Sequence, residues 1–83
     1  MRIRSNIAIS DSGFVFDGAT GESYSFNPTG LEIFHYLKEN RDFKEISEII
    51  INKYDIDQSS FERFFYDFVA MLKQYQLLEN DGE

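Results

Sequence analysis

The chain contains no cysteine, no tryptophan and a single proline among its 83 residues. Without cysteine there can be no disulfide staple, no thiolate zinc site and no cysteine nucleophile. Nothing points to an oxidising compartment, so a cytoplasmic protein is expected. The longest apolar run, Phe68–Leu72, falls far short of the ~20 residues of a membrane span. Arg2 and Arg4 precede no apolar stretch, so no signal peptide is expected. Basic residues are scarce too: eight Lys and Arg stand against fifteen Asp and Glu, a net charge of −7. The excess is concentrated late, with four basic and ten acidic residues in 42–83 against four and five in 1–41. Nucleic-acid binding draws most of its affinity from cationic side chains that displace phosphate counterions. A chain with this balance repels nucleic acid.

What is present describes a small globular domain. Hydrophobic residues make up 42% and charged residues 28%, which is neither a disordered nor a membrane composition. The length suits one domain, residues 1–83, burying roughly 60–65% of its unfolded surface. A deep internal cavity is not expected at this size, so binding should use a surface groove or a sheet edge. Nine Phe and five Tyr form a large aromatic load for such a core.

The first 26 residues read with period two. Ile3, Ile7 and Ile9 fall on one face of a strand over Ile3–Ile9, and Ser10-Asp11-Ser12-Gly13 is a turn cluster. Phe14-Val15-Phe16 is a second strand, followed by the two-glycine connection Asp17–Gly21. In Glu22–Phe26, Tyr24 and Phe26 share one face and two serines the other. At Asn27 the period lengthens. Asn27-Pro28 and the capping-box spacing of Thr29 to Glu32 open a first helix with Leu31, Ile33, Phe34 and Leu37, ending near Asn40. Asp42 to Glu45 opens a second, with Phe43, Ile46, Ile49, Ile50 and Tyr54 on one face. Ser59 to Glu62 opens the third and longest, reaching about Tyr75, before a polar tail over 79–83 expected to fray. Three strands over 3–26 followed by three helices over 28–76 imply an α+β architecture, an antiparallel sheet against a three-helix bundle.

No catalytic constellation is evident. His35 is the only histidine and has Leu31 and Glu39 at helical spacing, so it reads as a surface or half-buried residue. Asp55-Ile56-Asp57 lacks the glycine turn of a calcium loop and reads better as the approach to a helix. Gly18-Ala19-Thr20-Gly21 has no following Lys-Ser/Thr and lies between strands, not before a helix. No enzyme, metal or cofactor is expected. On the third helix Phe61, Phe65, Phe68, Val69 and Leu72 form a core stripe, flanked by Phe64 and Met71 with Tyr75 nearby. That flank either adds to the core or lines a groove. The strand Glu22–Phe26 carries no Lys or Pro to block pairing, so a peptide could add to its edge unless the N-terminus or a second copy covers it.

The run Gly21–Phe34 resembles the signature stretch of the PqqD-like proteins. Phe43 to Asp57, with its Tyr54-Asp55-Ile56-Asp57 turn, and Phe68–Leu72 followed by Leu77-Leu78 are similar in order and spacing, so the likeness spans about 3–79. The resemblance implies a winged-helix-like domain that recognises leader peptides of ribosomally made, post-translationally modified products. Such domains take the leader as an added strand and hand the precursor to a modifying enzyme, often of the radical S-adenosylmethionine type. Carried over by position, the strand is Glu22–Phe26 and the helix Ser60–Tyr75, the same edge and flank that the periodicity picks out; the expected peptide-binding residues are Glu22, Ser23, Tyr24, Ser25 and Phe26 with Phe64, Asp67, Phe68 and Met71. Phe64 stands where many relatives carry an acid, and Gln76 where glycine is usual. A more aromatic groove should prefer aliphatic or aromatic anchors. The expected partners are a leader peptide and a modifying enzyme, with no nucleic acid or membrane, in a monomer or weak dimer. The alternatives are a structural or regulatory subunit of another complex and a winged-helix nucleic-acid binder.

Overall fold

A computed structural model describes residues 2–10 and 12–79. Three short strands, β1 (Ile7–Ile9), β2 (Phe14–Asp17) and β3 (Ser23–Ser25), form an antiparallel sheet in the order β1-β2-β3. Three helices follow: α1 (Pro28–Lys38), α2 (Phe43–Tyr54) and α3 (Gln58–Gln74). This is the α+β order that the change of period anticipates. Ala8 and Ser23 flank Phe16 across the sheet, and Ser25 lies opposite Phe14.

The N-terminal strand is shorter than its isoleucine alternation predicts. The chain turns before Ile7, whose N–H donates to the Arg4 carbonyl at 3.1 Å. The Asn6 side chain is held by the Asp17 carboxylate at 2.6 Å. Ile3 therefore leaves the sheet and pairs instead with Leu78 in a single antiparallel bridge. Glu79, placed by sequence at the start of the tail, donates its N–H to the Arg2 carbonyl at 2.8 Å. The rest of the expected frayed tail, 80–83, lies outside the described residues.

Capping explains where the helices begin. The Asn27 side chain accepts the Gly30 N–H at 2.7 Å with Pro28 in the first turn, so Asn27 and not Thr29 caps α1. Asp42 and Glu45 form the reciprocal box expected for α2. The third helix starts at Gln58, two residues earlier than Ser60. Asp57 accepts the Ser60 N–H at 3.1 Å, and the Ser59 and Ser60 hydroxyls bond the same carboxylate. An ionised carboxylate outcompetes the Ser59 hydroxyl as the cap. These bonds hold the Asp57 carboxyl well below the usual carboxylate range, the Ser59 hydroxyl most of all. Tyr54, placed by its spacing on the buried face of α2, is exposed. Its hydroxyl donates to Glu32 at 2.6 Å, with Lys53 on the same carboxylate.

The end of α3 accounts for one departure from the family pattern. Leu77 N–H reaches back to the Leu72 carbonyl at 2.9 Å and Gln76 N–H to that of Lys73 at 3.0 Å, the paired bonds of a Schellman ending. Gln76 accordingly sits at φ 60°, a left-handed conformation that glycine adopts without strain. Gln76→Gly is expected to stabilise the domain by about 0.5–1 kcal/mol. Thermal melts of both proteins measure this, and an unchanged or lower midpoint would mean that Gln76 makes a compensating contact.

The core joins the sheet to all three helices. Ile7, Val15, Ile33, Phe34, Ile46, Ile50, Phe61, Phe65, Leu72 and Leu77 are almost wholly buried, and Phe68 and Val69 complete the α3 stripe that its spacing predicts. Ile33 is buried whereas Leu31 is only half-buried. β2 turns its small side inward: Val15 and Asp17 are buried, while Phe14 and Phe16 are 48% and 45% exposed. No helix among the described residues is long and apolar enough to cross a membrane.

Candidate functional site

The two outer strands differ in what their edges offer. At β1 the Ile7 N–H is taken by Arg4, and the Ile7 carbonyl accepts a hydrogen bond from Lys38 Nζ. At β3 the register decides. Asp17 N–H donates to the Glu22 carbonyl at 2.8 Å, and bonded and non-bonded pairs alternate along an antiparallel ladder. Val15 and Tyr24 are therefore a bonded pair. Ser23 and Ser25 direct their N–H and C=O groups away from β2, and among the described residues no other backbone group bonds them. Both outward residues of β3 are thus open among the described residues, whereas on β1 only Ile9 is, Ile7 being engaged.

Beside its C-terminal end runs a groove of about 300 Å³ lined by Ser25, Phe26, Asn27, Phe64, Asp67, Phe68 and Met71. Its floor is built from rings. Phe68 meets Phe26 edge-on at 5.4 Å and stacks on Phe64 at 6.1 Å, with 9° between the planes. Phe68 is buried, whereas Phe64 and Met71 are half-buried, so the apolar flank of α3 lines the groove rather than filling the core. Gly30 permits this packing. A Cβ there would lie 3.1 Å from both the Phe68 ring and the Asn27 side chain, so one or both would have to shift by a few tenths of an ångström. Asp67 is exposed at the rim.

Six of the nine residues carried over from the family pattern thus meet at one groove. Glu22 and Tyr24 do not. They line a second cleft of about 410 Å³ at the other end of β3, together with Arg4, Asp17 and Tyr75. Ser23 lines neither and offers only its backbone to the edge. Asn27 is a groove residue that sequence reasoning recognised only as a cap. Its place between β3 and α1 is the signal that could have found it. His35 is exposed on α1, and no three metal-ligating side chains gather among the described residues.

The second cleft is held by polar contacts. Tyr24 and Tyr75 have ring centroids 4.9 Å apart, and the Tyr24 hydroxyl donates to Glu22 at 2.7 Å. That bond to a carboxylate pushes the Tyr24 phenol up to about 12. The Ala19 N–H, at 2.9 Å, holds the Asp17 carboxyl below its ordinary value. Burial opposes the shift and Asn6 reinforces it. A carboxyl lowered by folding adds stability above its unfolded pKa of about 3.9 and loses it as pH falls through the folded value. The stability difference between the wild type and Asp17→Asn should therefore be largest near neutrality and shrink below about pH 4. Denaturant midpoints across pH test this, and a difference that grows on acidification would contradict it.

The described residues thus form an α+β domain in which an antiparallel three-stranded sheet runs an open edge beside a groove on the third helix. The model of the family described as coenzyme PQQ synthesis protein D (PqqD) matches residues 13–78, and the chain belongs to that family. The solved structure of TbiB1 in complex with the TbiA(beta) leader peptide is 26% identical, with a TM-score of 0.86 over 100% of both chains. Lasso peptide synthetase B1 complexed with the leader peptide is 23% identical over 95% of this chain and 96% of that one. Its TM-score of 0.81 establishes a common fold. None of the curated proteins matches the sequence.

Proposed function

We propose that this chain is a non-catalytic adaptor that captures the leader of a ribosomally synthesised precursor by strand addition to β3 and presents it to a modifying enzyme. The observation that carries this reading is the outward backbone of Ser23 and Ser25 on an edge whose Ser25 end lines the Phe64–Phe68–Met71 groove. Main-chain groups of the leader complete the ladder, and an aliphatic or aromatic side chain enters the groove. Glu22, Tyr24, Phe26 and Asp67 flank this path. Both solved relatives are described as leader complexes, which supports the same ligand class here. Two enzyme classes fit downstream: the radical S-adenosylmethionine type implied by the family resemblance, and enzymes of lasso peptide assembly, since one solved relative is itself named lasso peptide synthetase B1. The neighbouring genes separate them. The domain, residues 1–83, meets its precursor where it is made, in the cytoplasm, as a monomer or weak dimer.

Nucleic acid is a poor alternative. Arg63 and Lys73 on α3 are set against Glu62 and Asp67 in a chain of net charge −7. The direct test is an NMR titration of labelled protein with the leader encoded beside its gene. Shifts should cluster at 23–27 and 64–71, and shifts confined to other surfaces would overturn the assignment. Phe64→Asp should weaken the leader by about 1–3 kcal/mol in a folded protein, because the half-buried side chain lets the carboxylate stay hydrated. A folded variant that binds as tightly as the wild type removes Phe64 from the site.

A further inference from the structure

Among the described residues, the cleft at the N-terminal end of β3 contains a cation, Arg4, with no ion-pair partner. Arg4 is partly buried and lines this cleft, and its Nε has no hydrogen-bond partner. Among the described residues its side chain makes no hydrogen bond or ion pair. The two carboxylates that share the cleft are engaged elsewhere. Asp17 accepts from Asn6 and from the Ala19 N–H, and one oxygen of Glu22 accepts from the Tyr24 hydroxyl. The guanidinium thus gives the cleft hydrogen-bond donors with no acceptor among the described residues.

The cleft also lies on the path of an added strand. Tyr24 in β3 and Phe26 just beyond its end are two residues apart; Tyr24 lines this cleft and Phe26 the apolar groove. Side chains of a paired peptide alternate between faces, so those on its inner face fall into the same two concavities, two or four positions apart.

Resting on the strand-addition reading above, we infer that the Arg4–Glu22 cleft is a second specificity subsite, which takes an uncharged amide side chain, Asn or Gln, of the leader. An amide offers both halves of what the cleft lacks. Its carbonyl accepts from the Arg4 guanidinium, and its NH2 donates to the remaining oxygen of Glu22. A carboxylate would meet the like charges of Asp17 and Glu22, and a lysine or arginine would meet Arg4. The Tyr24 and Tyr75 rings wall the apolar stem. The leader code for this protein is then an apolar anchor with an amide two or four residues away.

The test uses the full chain and capped nine-residue peptides of a threonine frame with a central leucine. Gln, Ala, Glu or Lys is placed two or four positions to either side. At one of these positions Gln should bind about fivefold or more tightly than Ala, Glu and Lys, as read by NMR titration. Arg4→Met, which keeps the apolar stem, should bring the Gln peptide down to the level of the Ala peptide. Glu22→Ala, at an exposed position, should do the same without any question of folding. If all four peptides perturb 25–27 and 64–71 with equal affinity, the amide subsite is wrong while strand addition stands. Preference for Glu or Lys, or a Gln preference that survives both substitutions, overturns the subsite as well. If no peptide perturbs β3 or α3, both readings fall together.

Discussion

Ser25→Pro should abolish leader binding while leaving the domain folded. Ser25 lies opposite Phe14 as a non-bonded pair, so its N–H points out of the sheet rather than to β2. Proline therefore removes no hydrogen bond from the free protein, and edge strands are where a sheet tolerates it. The incoming strand loses that donor and meets the pyrrolidine ring where its carbonyl should sit. Ser25→Ala keeps the N–H and should bind nearly as well as the wild type, because the ladder does not use the hydroxyl. Circular dichroism melts combined with peptide titration separate the effects. Full affinity in a folded Ser25→Pro protein would mean that the leader does not pair with β3 at this residue. Loss of affinity in Ser25→Ala would make the hydroxyl, not the backbone, the recognised group.

Phe34→Ala should have the largest effect on stability. The Phe34 ring is wholly buried and packs against Phe26 at 5.6 Å, behind the groove floor. Truncating such a ring costs about 3–5 kcal/mol through lost transfer energy and the cavity left behind. A domain of this length is stable by roughly 4–12 kcal/mol in all, so the variant should be close to unfolding at 37 °C. Where it remains folded, the unsupported Phe26 should loosen against Phe68 and leader affinity should fall as well. Phe16→Ala is the control: its ring is 45% exposed on the outer face of the sheet, and its removal should cost far less. Urea denaturation compares the two. Equal losses would show that burial does not set the energetics here.

Much of the molecule was decided by interactions that reach only a few residues along the chain. The buried stripe Phe61, Phe65, Phe68, Val69 and Leu72 follows from helical period, and the Asp42–Glu45 box from side chains three apart. The turns around Gly13 and Gly21 follow from their composition, and the family signature rides on the same local order. Alternation also marks β2 as a strand, but period two does not say which side faces inward. Val15 and Asp17 won over Phe14 and Phe16 because Asp17 finds Asn6 eleven residues away and Val15 fits beneath the helices. Ile3 looked continuous with β1 until its backbone met Leu78 at the other end of the chain. Tyr54 belonged to an apolar face until Glu32, twenty-two residues earlier, claimed its hydroxyl. The breadth of the α3 stripe could not tell core from groove. Gly30 and Phe26 settled it by packing on Phe68 and leaving Phe64 and Met71 at the open side. How far each sheet edge stays open was likewise set at a distance, by Lys38 reaching the carbonyl of Ile7 while no described residue reaches the backbone of Ser23 or Ser25. Propensity and capping act over one helical turn and can be read from neighbouring residues. Facing, edge protection and grooves depend on which distant segments meet, and only the folded chain determines that.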